Sequence, residues 1–77
     1  MTSFSVMLTS VETVKTFVDA ATLFPCEIDV KSGRYLINAK SIMGLFSLDL
    51  STTLTVEVHG DDAQGEAFRQ SVSQFVV

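Results

Sequence analysis

Residues Thr53 to His59, TLTVEVH, alternate without a break, with Leu54, Val56 and Val58 on one side and Thr53, Thr55, Glu57 and His59 on the other. Successive side chains of a strand point to opposite faces, so this segment has one buried face and one wet face. A sheet covered on one face only needs helices with a single apolar stripe, stacked together on one side. The remaining sequence meets that demand.

Phe4, Val6 and Leu8 share one side of a period-two run, which predicts a first strand. Thr9-Ser10-Val11-Glu12 then offers a capping box, with Thr9 as N-cap and Glu12 three residues on reaching back to its amide. Val14, Phe17, Val18, Ala21 and Phe24 follow at helical spacing, and Pro25 ends that helix near Phe24. Cys26 to Val30 alternates again, Lys31-Ser32-Gly33 supplies a tight connection, and Arg34 to Asn38 is β-prone, which together predict a hairpin. After TLTVEVH, Gly60-Asp61-Asp62 opens a closing helix capped by Asp61 or Asp62. Ala63, Ala67, Phe68, Val72, Phe75 and Val76 are its expected buried side, and Gly65 weakens its first turn. With a short helix after Ser41, the order is β-α-β-β-α-β-α. That order predicts an α+β fold of two layers, a four-stranded sheet with its helices on one face.

The short helix carries more apolar side chains than one face can bury. On a helix advancing about 100° per residue, Leu45 and Leu48 lie on one arc near Gly44, while Ile42, Met43, Phe46 and Leu50 lie on another. If Leu45 and Leu48 pack on the sheet, Ile42, Met43 and Phe46 face outward, and such clusters often mark partner sites. Cover from neighbouring loops or from the first helix is the competing expectation. Ser41 is placed to cap this helix, which is a full structural reason for a serine there. A phosphate on Ser41 would also meet the positive end of the helix, with Lys40 alongside, and would add nearly −2 of charge beside the apolar patch.

Composition narrows the function classes. At 77 residues the chain supports one domain, and 47% hydrophobic against 18% charged residues suits a globular fold. The net charge of −4, with five scattered Lys and Arg residues, lacks the basic footprint of a nucleic-acid binder. Cys26 and His59 are single, so neither an internal disulfide nor a structural metal site is expected, and no cofactor motif appears. The first fifteen residues lack the basic and continuous apolar regions of a signal peptide, and nowhere do about 18 apolar residues run together, so neither export nor membrane spanning is expected, which suits a cytoplasmic protein.

The stretch Asn38-Ala39-Lys40-Ser41-Ile42-Met43-Gly44-Leu45, continued by Ser47-Leu48, resembles the segment around the regulatory serine of the histidine-containing phosphocarrier protein, HPr, of the bacterial sugar phosphotransferase system. Phe17-Val18 and the Glu27 to Val30 strand are similar to that family's first helix and second strand, and its fold is an open-faced sandwich of the same order. The resemblance implies that Ser41 is the target of an ATP-dependent kinase. It also implies that Lys40, Ile42, Met43 and Phe46 meet phosphotransferase proteins or a transcriptional regulator.

The family's first loop carries Gly-(apolar)-His-x-Arg-Pro, whose histidine accepts phosphate from enzyme I. Here the region reads Leu8-Thr9-Ser10-Val11-Glu12-Thr13-Val14, without histidine, arginine, proline or glycine. A serine near the histidine's place, Ser10, would form an ester too stable to pass its phosphate on, and Glu12 would repel a phosphoryl group. Three functions remain open at this point: a binding module acting through the Ser41 helix, a carrier that uses His59, and a remnant without a partner. His59 itself reads as a solvated edge histidine.

Overall fold

The computed structural model describes all 77 residues. Strand β1 is Thr2–Val6, helix α1 Val11–Thr22, β2 Glu27–Ser32, β3 Tyr35–Asn38, α2 Ile42–Phe46, β4 Leu54–His59 and α3 Asp62–Ser71, followed by a 3-10 turn at Ser73–Phe75. The strands pair antiparallel throughout in the order β1-β4-β2-β3. The result is the expected α+β architecture, an open-faced four-stranded sheet with three helices.

Register divides the side chains cleanly. Phe4, Val56, Val30 and Ile37 form one cross-strand row on the covered face, and Ser3, Glu57, Asp29 and Asn38 form its neighbour on the open face. Every buried residue is apolar, so the interior holds no polar group that could do chemistry. Phe68 of α3 is its centre, with ring centroids 5.5 Å from Phe17 and 5.3 Å from Phe24 in edge-on contact, and 6.2 Å from Phe4. Edge-on pairs of this kind add about 0.5–1.5 kcal/mol each beyond the area they bury.

The β2–β3 hairpin turns on Gly33 and Arg34, since Ser32 faces Tyr35. Gly33 sits at φ 59°, the left-handed region a two-residue hairpin turn requires at its first central position. At the end of α1, Leu23 and Phe24 close the last turn on the Ala20 and Ala21 carbonyls ahead of Pro25.

Three local expectations are corrected. Helix α1 is capped by Ser10 rather than Thr9: the helix starts one residue later, which puts Thr13 and not Glu12 at the third position, where its hydroxyl can reach back. In α3, Asp61 is the cap, but Ala63 and Ala67 are exposed. The buried side is Gly65, Phe68, Val72 and Phe75. Gly65 lies against β1 so closely that a Cβ there would come within 1.8 Å of the Thr2 Oγ1. Val76 has left the helix and bridges Val6.

Candidate functional site

The start of α1 is closed on itself. The Ser10 hydroxyl accepts from the Thr13 amide at 3.2 Å, and the Thr13 hydroxyl accepts from the Ser10 amide at 3.0 Å. The Thr13 hydroxyl also donates to the Ser10 carbonyl at 2.8 Å. Both side chains are committed to satisfying helix-end backbone groups, and no histidine stands among them.

At the start of α2 the chain makes a tight corner. The Asn38 carboxamide oxygen accepts from the Lys40 amide at 2.8 Å, and the Asn38 carbonyl accepts from the Ser41 amide at 2.9 Å. Ser41 follows in extended conformation, exposed, its hydroxyl accepting from the Gly44 amide at 3.2 Å. Gly44 permits the close seat of this helix, because a Cβ there would lie 2.7 Å from the Ile37 Cγ2 and 2.9 Å from the Ser41 Oγ. Asn38 and Gly44 are site-shaping residues that sequence reasoning did not single out; an Asn three residues before a helix cap was the available signal for the first.

The helix spans only five residues, shorter than the run to Leu50 that its apolar content suggests. Ser47 ends it, donating its hydroxyl to the Gly44 carbonyl at 2.5 Å, and Leu48 still reaches the core because its amide bonds the Leu45 carbonyl at 3.1 Å. Leu45 and Leu48 are buried, Met43 is 77% exposed and Phe46 38%. Ile42 is half-buried and packs against the core. Lys40 is not beside Ser41 as a free cation: its ammonium donates to the Phe24 carbonyl at 2.7 Å, at the electronegative end of α1 where a cation belongs. That bond ties the start of α2 to the end of α1.

His59 stands apart from all of this. Val6 pairs with Leu54 and Thr2 with Val58, so the chain leaves β1 for α1 at the Leu54 end of β4. His59 closes the other end, about 17 Å along the strand at roughly 3.3 Å per residue. It is not an edge residue, since β4 lies between β1 and β2, and its side chain is on the open face. Its Nε2 is 3.0 Å from the Asp29 carboxylate and 3.8 Å from that of Glu57. Two carboxylates around that nitrogen oppose the approach of a dianionic phosphoryl group.

These features fit one known family. The family model described as the PTS HPr component phosphorylation site matches residues 12–76. The chain belongs to the HPr family. Among solved structures, HPr-C-His from Thermoanaerobacter tengcongensis is similar to this chain with a TM-score of 0.80 and 26% identity, over 96% of this chain and 89% of that one. The phosphocarrier protein HPr of Bacillus anthracis str. Ames gives 0.75 and 26%, over 97% and 95%. Crh, the catabolite repression containing protein of Bacillus subtilis, gives 0.67 and 28%, over 94% and 87%. No curated protein matches the chain in sequence. The family match begins at Glu12, which leaves Ser10 outside it and the whole Asn38 to Leu48 stretch inside.

Proposed function

We propose that this member of the HPr family is a non-catalytic regulatory module of the phosphotransferase system, working in the cytoplasm through α2, with Ser41 as its phosphorylation candidate. One observation carries the reading: at the start of α1, in the region that resembles the family's histidine loop, a serine caps the helix. The only imidazole in the chain sits at the far end of the sheet on its other face, between carboxylates.

Met43, Phe46 and the half-buried Ile42 are the docking surface in this reading. Exposure of Met43 and Phe46 speaks against a remnant whose patch is covered. Lys40 contributes by fixing α2 to the end of α1. The partners are other phosphotransferase proteins, a serine kinase or a transcriptional regulator, and the name of the Bacillus subtilis relative ties that protein to catabolite repression. A phosphate on Ser41 would replace a neutral hydroxyl with nearly −2 of charge two residues before Met43, enough to change which partner docks.

The test is a pull-down from a bacterial extract rich in phosphotransferase proteins, using wild type, Ser41→Asp and Phe46→Ala. The reading predicts that Phe46→Ala loses the captured partner and Ser41→Asp exchanges or loses it, while circular dichroism stays native. Equal capture by all three chains contradicts it. Incubation with ATP and the family's serine kinase adds one phosphate, at Ser41; an unmodified Ser41 removes the switch and leaves only docking.

A further inference from the structure

β1 is an edge strand with no protection in its own residues. From Met1 to Val11 the chain has no charged residue, no proline and no glycine, whereas edge strands normally rely on such residues, on bulges or on a cover to stop a neighbouring chain from pairing. The opposite edge is handled differently. β3 is four residues long, lies next to Arg34, and its Asn38 carbonyl is taken by the Ser41 amide.

The free edge of β1 has one cover, the segment after α3. The Phe75 carbonyl accepts from the Met7 amide at 2.9 Å, and the Val77 amide donates to the Ser5 carbonyl at 3.0 Å, with Val76 opposite Val6. The two ends of this cover differ. Phe75 is buried in the core, while the Val77 side chain is 69% exposed and its tie to β1 is a backbone bond. Alternation along the strand points the Ser3 amide and carbonyl to the same edge as those of Ser5.

We propose that Val76 and Val77 are a latch over a self-association edge. While they lie on β1 the protein stays single; when they leave, β1 pairs antiparallel with β1 of a second copy. The strand itself selects that occupant. An edge strand meeting its own copy about a two-fold axis is self-complementary. Ser3 and Ser5 then face serines rather than like charges, and Phe4 and Val6 extend the apolar layer on the covered side. This inference is independent of the α2 reading.

A chain ending at Phe75 keeps the core phenylalanine and the Met7–Phe75 bond but lacks the latch. Light scattering across a wide concentration range should show its mass doubling as concentration rises, while the full chain stays at the monomer mass. With Ser3 opposite Ser5 of the other copy, Ser3→Lys in the shortened chain puts a lysine from each copy diagonally across the new interface and should return it to the monomer. A shortened chain that is folded by circular dichroism and monomeric throughout overturns the proposal, as does a dimer that survives Ser3→Lys. If the shortened chain does not fold, full-length Val77→Pro carries the same test. It removes only the donor to Ser5, and Val76 already sits at φ −71° and ψ 133°, which suits a residue before proline. A folded, monomeric Val77→Pro protein overturns the proposal equally.

Discussion

Gly44 decides how near α2 can come to the sheet. Alanine is the better helix former by about 1 kcal/mol, yet a Cβ at this position meets the Ile37 Cγ2 at 2.7 Å, and that methyl is fixed to a branched carbon. Gly44→Ala should therefore destabilise the protein by roughly 1–3 kcal/mol in urea unfolding, the range for overpacking; a gain in stability contradicts the contact. Asp49 offers a second residue-level test. Its carboxyl is held below its ordinary value first by the Ser51 hydroxyl, at 2.5 Å, and then by the Ser51 amide. These bonds favour the folded state above the ordinary carboxylate range, and the contribution fades as pH falls through the folded value. Ser51→Ala should move the Asp49 titration upward in an NMR pH series. Single residues were legible where their partner is local: Ser41 reads as a cap because its acceptor role spans three residues. Lys40 was not, because its carbonyl partner is sixteen residues away.

At the scale of elements, α2 is too short to be stable alone, so its place depends on the two leucines beneath it. Leu45→Ala should cost about 2–5 kcal/mol, while Met43→Ala, largely exposed, should stay within about 0.5 kcal/mol. Matching urea midpoints for Leu45→Ala and Met43→Ala would contradict the two-faced helix. The same inward and outward logic explains what the sequence disclosed and what it hid. Val14, Phe17, Val18 and Ala21 of α1 read correctly because each buried position is itself apolar. In α3 the most intimate contact is made by a glycine, which leaves a gap in the apolar pattern, so the alanines beside it looked like the buried face. The cap of α1 was missed by one residue because Thr9 and Ser10 are equally good candidates until the helix start is known.

For the whole molecule, element order was readable and strand order was not. Local periodicity gives β-α-β-β-α-β-α, but the pairing of β1 with β4 joins segments about fifty residues apart, and the function turns on it. That pairing places His59 at the far end of the sheet from α1 and on the opposite face, which no spacing in the chain reveals. The two serines of interest lie at opposite ends of α1: Ser10 caps its beginning, while Ser41 is tied through Lys40 to its end. Ser41 therefore lies on a different part of the surface from residues 8–14, the stretch that resembles the family's histidine loop. Central to the proposed function is that this chain does not relay phosphate. Incubation with phosphoenolpyruvate and enzyme I, followed by intact mass and acid treatment, tests it most directly. The chain should emerge at its unmodified mass; an acid-labile phosphate on it, lost in His59→Ala or not, would contradict the account.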